Sequence, residues 1–539
     1  MKKISRRDFL KAAGLSTVAL SLTACGGSSS STASSAAASS VASSGAAEAG
    51  SPKYGGNLRY AYGNAIATPG YTPLAAANAH LPYLTLAYEN LLTYDDAGAL
   101  VGKLATAWDV NPDEPSITWT LREGVSFVDG EPFNAAAVKT NIEEYQANNR
   151  TEVSNIASCE VIDDTHIKMN MVAYNSSTLE SVGYFVFYMS PKALENDHAA
   201  LENATCGTGP FQLSEFENNA YAVYSKNETY WQEGKPYLDS VEIVIITEVT
   251  TMQTAFRAGE YDLCGVGNFT PTVIQELEND GIYTEIVNHN GMGIGTLGLI
   301  PNSKADSPWT DAKVRRAMCY AIDVDALNAA FMLGTATVVD EWATPGAVTY
   351  NNDINHMKYD PERAKALLAE AGYANGFDTE IMVISALSDM MTAISNMLAE
   401  VGIRCKINMV DGATQNQSYM DGTWVGLMPH WTTVSPDLGL YMGRHLDYNG
   451  AYYAKGIQHP DYEMGLLEEI RSCTDMDEKH KLEHELQKAI YDAEEGSILF
   501  GRPLFVNSSV FFMQPDVKGL KIAESFASDW DCTEAWLDR

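Results

Sequence analysis

AYENLLTYDDAGALVGKLATAWDVNPDEPSITWTLREGVSFVDGEPFNAAAVKTNIEEY, residues 87–145, reads as one supersecondary unit with a turn signal at every joint. Leu84, Tyr88, Leu91 and Leu92 recur at helical spacing, and the Asp95-Asp96-Ala97-Gly98 cluster predicts that the helix stops there. Ile117, Trp119 and Leu121 alternate with Thr118 and Thr120, which predicts a strand with one buried face. Arg122-Glu123-Gly124 then turns the chain into Val125-Ser126-Phe127, so a hairpin is expected, and Asp129-Gly130 turns it again. Asn134 precedes a stripe of Ala137, Val138, Ile142 and Tyr145, and its side chain can accept from the first free N–H groups of a helix there.

Working outward, residues 57–62 alternate like a strand, and Ala67-Thr68-Pro69-Gly70-Tyr71-Thr72-Pro73 is a loop rich in backbone restraints. Residues 154–171 read as two strands about the Asp163-Asp164 turn, completing a small inserted domain. Cys206-Gly207-Thr208-Gly209-Pro210-Phe211 is a poor phosphate cradle, because Pro210 lacks a donor and no Lys-Ser or Lys-Thr pair follows. A buried strand is expected at 241–246 and helices at 251–259, 314–322 and 359–371, the last opened by Asp360-Pro361 and stopped by Gly372. The stretch LAEVGIRCKINMV gives helix, glycine stop and strand. Gly293, Gly295 and Gly298 form a G-x-G-x-x-G, but Pro301 and Pro308 follow instead of a helix, so a glycine-rich strand crossing between lobes is expected rather than a dinucleotide site.

The order helix, LLTYDDAG, LATAWDV, WTLREGVSFVDGEP and helix resembles the oligopeptide/dipeptide/nickel-type extracellular solute-binding proteins of ABC importers. The resemblance resumes at 206–262, 314–323, 359–372 and 397–431. It implies an α/β, two-lobed periplasmic-binding-protein-like (type II) fold with a hinge and an inserted third small domain. The expected boundaries are lobe I at 55–82, 209–289 and 496–539, the insert at 83–208, and lobe III at 290–495. A binding protein with no chemistry and no cofactor is implied. Its partners would be a peptide-like or similarly sized organic solute and an ABC permease with its ATPase subunits, and the protein itself would be a monomer.

By the same resemblance Trp431 falls on the family's ligand-contacting tryptophan, and His430, Thr432 and Thr433 flank it at a polar strand end suited to a binding rim. Trp424 and Tyr71 are further stacking candidates, and Asn268 lies in a segment that faces the cleft in the family. Peptide binders of the family carry an aspartate three positions after the tryptophan, where this chain has Val434; Asp437 stands as its substitute if the loop is remodelled. The alternative within the family is a nickel or metal-chelate binder, using His430, His445 or His459.

At 539 residues the chain needs two or three domains, and a net charge of -35 argues against nucleic acid or anionic lipid as partners. Ser5-Arg6-Arg7-Asp8-Phe9-Leu10-Lys11 matches a twin-arginine export signal within a leader at 1–24. Leu22-Thr23-Ala24-Cys25 matches a lipobox, which makes Cys25 the expected lipid attachment site and the extracytoplasmic face of the cell membrane the expected location. The Ser/Ala/Gly-rich stretch that follows, to about residue 54, cannot bury enough apolar area to fold and would reach roughly 30 Å as a flexible leash. The seven remaining cysteines are scattered and predict buried thiols; a Cys159–Cys206 bridge is conceivable. His480-Lys481-Leu482-Glu483-His484 matches H-x-x-E-H, the pattern of a secreted zinc hydrolase, but Leu482, Leu486 and Ile490 form the apolar stripe and put both histidines on a solvated face. With no third ligand evident, no metal site is expected.

Overall fold

Three sheets carry the computed structural model, which describes residues 51–539 apart from 76–79, 96–99, 197, 266–270, 289–294, 305, 344, 346, 434–436, 447–452, 507–508 and 523–529. The leader, Cys25, Asn268 and Val434 therefore lie outside the described residues. The first sheet has seven strands, in the order Thr284–Asn288, Ser509–Met513, Leu263–Gly265, Asn57–Tyr62, Ser240–Ile245, Tyr221–Lys226 and Phe211–Glu217. Its middle strand runs parallel to both neighbours, and Leu58, Tyr60, Ala61 and Tyr62 are buried on both faces, as expected for a strand covered on each side. The second sheet has six strands: Thr337–Val338, Arg502–Val506, Gly295–Pro301, Leu427–Thr433, Phe377–Val383 and Ile403–Met409.

The chain passes between these two sheets at 289–294 and again at 507–508. Thr284–Asn288 pairs antiparallel with Ser509–Met513 on one side, and Gly295–Pro301 with Arg502–Val506 on the other. The two crossings are thus flanked by paired strands on each side. The glycine-rich 293–298 stretch leads into a strand, and a Cβ on Gly298 would come within 2.6 Å of the Trp342 ring. The sequence boundary at 496 is corrected: Arg502–Val506 is a buried strand of the six-stranded sheet, so the return to the first sheet comes after Val506.

The third sheet is antiparallel, in the order Ala105–Asn111, Ser116–Leu121, His166–Met171 and Ile156–Val161, with the helix Ala135–Ala147 packed on the last two. Asn134 caps that helix, its Oδ1 accepting from the Ala137 N–H at 2.9 Å. The expected hairpin is corrected. Ser116–Leu121 pairs with Ala105–Asn111 and His166–Met171, whereas 125–133 closes on itself through Phe127 N–H to Glu131 O (2.8 Å) and Phe133 N–H to Val125 O (2.9 Å). The buried Val125 and Phe127 make this closed loop part of the core.

The opening helix also differs from expectation. It ends at Ala87, Tyr88 is extended, and Leu92–Tyr94 is a strand paired with Leu100–Gly102. Tertiary partners override the helical spacing: the Tyr88 hydroxyl donates to Gly70 O, and Leu91 and Leu92 fill the core of the insert. Between them Glu89, fully buried, accepts from Thr208 Oγ1 (2.8 Å), Tyr230 OH (3.0 Å) and Trp231 Nε1 (2.9 Å). Glu89 enters the insert and Thr208 leaves it, so this hydrogen-bonded carboxylate fastens the two crossings together. The close approach explains the glycines of the 206–211 motif, since a Cβ on Gly207 would meet Ala87 O at 2.0 Å.

Elsewhere local signals hold. Asp360 caps Pro361–Glu370, and Gly402, at φ +101°, links Ser388–Glu400 to Ile403–Met409. All seven cysteines among the described residues are free thiols, Cys159 and Cys206 included. No described helix is long and apolar enough to cross a membrane.

Candidate functional site

The strand Leu427–Thr433 pairs along its whole length with Gly295–Pro301, but on its other side it meets Phe377–Val383 only at Leu427. Beyond that point Gln415 Nε2 donates to Pro429 O at 3.2 Å, so the Pro429 carbonyl points away from Gly295–Pro301. Strand backbone groups alternate in direction, so those of Trp431 and Thr433 point the same way, toward a side with no strand neighbour among the described residues. Trp431 is 39% exposed, an unusual state for so large a ring in a strand of this lobe. Thr433 pairs with Gly295, the first described residue of the lobe after the chain crosses from the first sheet, which sets this free edge at that end of the sheet. A backbone edge with a partly exposed indole can take an extended, hydrogen-bonding ligand and cover it with a flat apolar surface.

The opposite face of the strand is interior. His430 stacks on Tyr419 (ring centroids 4.1 Å apart), and burial pulls its pKa down to about 4, so it is neutral at neutral pH. His445, buried, has its Nδ1 2.9 Å from the Tyr419 hydroxyl, and burial, with His430 and Arg444, holds its pKa well below the usual imidazole range. His459 stacks on Tyr453, and burial followed by Lys304 pulls it down to about 4. These imidazoles pack among rings, and the described residues contain no cluster of three or more histidine, cysteine, aspartate or glutamate side chains arranged to hold a metal.

Other candidates are displaced from the edge. Trp424 is buried in the lobe core against Tyr419 and over Gly456, so it offers no stacking surface. Tyr71 is buried where its hydroxyl meets Glu144 and accepts from Asn148 Nδ2 (2.7 Å); burial and then Glu144 push its pKa up to about 12. It fastens the 67–73 loop to the insert's helix. The side chains of Thr432 and Thr433, like Asn268 and Val434, lie outside the described set.

Asp437 is corrected as a stand-in for the missing amine-binding aspartate. Its Oδ2 accepts from Lys479 Nζ at 2.6 Å, while its Oδ1 accepts from Ser177 Oγ (3.0 Å) and from the Leu440 N–H (2.8 Å). Burial works against the charge, yet Lys479 and these donors hold the carboxyl below its ordinary range. A buried carboxylate whose charge is already balanced by Lys479 offers a ligand ammonium no unpaired counter-charge.

Lys479 shows what the sequence pattern concealed. The helix Met476–Tyr491 buries Lys479, Glu483 and Gln487 as well as Leu486 and Ile490, while Leu482 is only half-buried. The H-x-x-E-H residues diverge: Glu483 accepts from the Leu438 N–H (3.2 Å) and sits 2.8 Å from His480 Nδ1, and His484 Nε2 lies 2.8 Å from Val348 O. Glu483 is fully buried among these partners, so the motif shows the features of a packing element rather than an open zinc site.

Ser177 belongs to the insert, and further bonds join it to the six-stranded lobe. Ser176 N–H donates to Arg471 O (2.7 Å), Ser176 Oγ to Ile470 O (3.1 Å) and Tyr174 OH to Cys473 O (3.2 Å). A cavity of about 350 Å³ opens beside this contact, with Thr151, Asn155 and Thr178 on one wall and Gly443, Arg444 and Arg471 on the other. The contact is thus polar and incompletely filled, the character of a surface that can separate.

Two sheet-centred lobes that the chain crosses between twice, with a free strand edge near the first crossing, have the architecture of a ligand-binding protein of the periplasmic type. Residues 99–453 match the family model for bacterial extracellular solute-binding proteins, family 5, and the chain belongs to that family, the solute-binding proteins of ABC importers. It is 27% identical over 459 residues to the glutathione-binding protein GsiB of Pectobacterium atrosepticum, covering 80% of this chain and 86% of that one. The glutathione-binding protein GsiB of Escherichia coli K12 is 30% identical over 344 residues, covering 62% and 66%. Among solved structures, CtaP of Listeria monocytogenes, an ABC transporter substrate-binding protein, superposes with a TM-score of 0.77 at 18% identity, over 90% of this chain and all of that one. NikA of Brucella suis, in complex with Fe(III)-EDTA, gives 0.74 at 23%, over 88% and 99%. Both share the two-lobed fold expected from the sequence.

Proposed function

We propose that this protein captures a peptide-like solute between its two lobes and delivers it to an ABC permease, tethered to the membrane through lipid on Cys25. The observation that carries the ligand class is the free edge of Leu427–Thr433 beside a partly exposed Trp431. An edge of this kind recognises the backbone of an extended ligand whatever its side chains, and the indole adds apolar contact. The glutathione-binding relatives favour a short peptide of that size.

With Asp437 held by Lys479, no acid among the candidate residues described at this site is left to answer the α-ammonium of the ligand. Affinity then rests on the ligand's backbone and on the Trp431 ring, so free-amine and N-acetylated forms of one peptide should bind alike. The twin-arginine leader, lipobox and flexible linker support export and anchoring on the extracytoplasmic face.

Mass spectrometry of the solute carried through native purification tests the ligand class. A short peptide or peptide conjugate is expected, and calorimetry on it and its N-acetylated form should give affinities within a few-fold. Recovery of a metal chelate or a sugar as the tightly held solute would overturn the reading.

A further inference from the structure

Behind the six-stranded sheet, away from the strand edge, several buried polar atoms have no hydrogen-bond partner among the described residues. They are Arg502 Nε and Nη1, Tyr491 OH, both amide atoms of Gln487, Glu341 Oε2 and Trp342 Nε1. All five residues are 4% exposed or less. Arg502 lies on a strand of the sheet and Gln487 and Tyr491 on the helix Met476–Tyr491, with Tyr491 within electrostatic reach of both Arg502 and Glu341. Arg502 pairs with Leu299, Trp342 packs on Gly298, and Gln487 and Tyr491 lie one turn apart on one helix face. Asn351 ties Glu341 to that helix, donating its N–H to Glu341 Oε1 (3.0 Å) and its Nδ2 to His484 O (2.8 Å).

Arg502 is the exception among the lobe's buried cations. Arg315, equally buried, gives its guanidinium to the carbonyls of Trp309, Thr310 and Ser497, and Arg316 donates to Gly496 O. Lys479 has Asp437. Among the described residues Arg502 has neither a carboxylate within ion-pair distance nor a carbonyl for its Nε and Nη1. Buried Cys319 lies within electrostatic reach of Arg502, Arg316 and Arg315, and of Asp340, which is itself paired with His356 at 2.9 Å. The nearby Glu341 supplies little counter-charge at neutral pH, because burial pushes its pKa up to about 9. A desolvated guanidinium without a partner is among the least favourable arrangements a core can hold, and the nearby Tyr491 hydroxyl is a further group able to donate that has no partner among the described residues.

We propose that the interior of this lobe holds a binding site for a small inorganic anion of halide size, with the Arg502 guanidinium as its charged ligand and the Tyr491 hydroxyl within reach. The enclosing side chains are core-packed, which limits the occupant to about one atom or a compact ion. The strand that carries Arg502, Arg502–Val506, is the last of this lobe before the chain returns to the first sheet, so the anion fixes the lobe side of that crossing.

Crystals of the full chain grown in bromide test this through anomalous scattering. A bromide peak within hydrogen-bonding distance of the Arg502 guanidinium is expected, and water alone at that position would overturn the proposal. In solution, thermal unfolding at matched ionic strength should be about 2 °C higher in chloride or bromide than in gluconate. Arg502→Met should remove that difference. Should Arg502→Met fail to fold, the wild-type bromide peak and salt comparison still decide the matter, and equal unfolding temperatures in the three salts would count against the site.

Discussion

Lys479→Met isolates a buried ion pair within the lobe. Lys479 Nζ lies 2.6 Å from Asp437 Oδ2, and the two side chains are 3% and 10% exposed, so neither charge has substantial access to water. Methionine keeps most of the aliphatic stem and removes only the ammonium. Asp437 would retain Ser177 Oγ and the Leu440 N–H as donors but lose its counter-charge, and breaking a buried pair from one side costs about 3–5 kcal/mol. The pH dependence has a defined sign. In the wild type the Asp437 pKa is depressed on folding, so the pair contributes stability above the unfolded carboxyl value of about 3.9 and loses it as pH falls through the lower folded value. In the variant, burial without a counter-charge raises the folded value above about 3.9, so stability is present at low pH and lost as pH rises. Urea unfolding should therefore show the full deficit at pH 7 and a smaller one near pH 4. A loss below about 1 kcal/mol that does not change with pH would mean the pair is solvated, and would refute the reasoning.

Trp431→Ala should weaken the native solute by about 2 kcal/mol, roughly thirtyfold, with little change in unfolding, because the ring is partly exposed. Trp424→Ala should do the reverse, costing about 3–5 kcal/mol of stability from the core, as urea unfolding beside calorimetry on the co-purified solute would separate. Cys25→Ala should release the protein from membranes; retention after a high-salt wash would place the anchor elsewhere.

Local signals in this chain are legible where one residue decides one backbone event. Asn134 and Asp360 cap helices where the sequence places them, Gly402 stops one, and the glycine-rich 293–298 stretch leads into a strand at the crossing between sheets. The signals fail where a distant partner decides. Tyr88 has helical spacing but leaves the helix because its hydroxyl accepts from the Cys206 N–H and the neighbouring Glu89 from Thr208 Oγ1, both far along the chain. Ser116–Leu121 finds its partners at 105–111 and 166–171 rather than in the adjacent 125–127. The same holds at the candidate site. Trp431 and Trp424 look alike in sequence, and only the alternation and sheet position separate a rim tryptophan from a core one. Asp437 looked free because its partner Lys479 is 42 residues away, on a helix whose charge-rich pattern suggested a solvated face.

Small-angle X-ray scattering, on protein stripped of its solute and then resaturated, addresses the central claim most directly. Ligand contacts on both lobes should favour the closed form by their differential affinity, with one sheet rotating relative to the other about the two crossings of the chain between them. The radius of gyration should fall on adding the co-purified solute and recover when it is removed. An unchanged radius at saturation with that solute would contradict capture by closure of the two lobes.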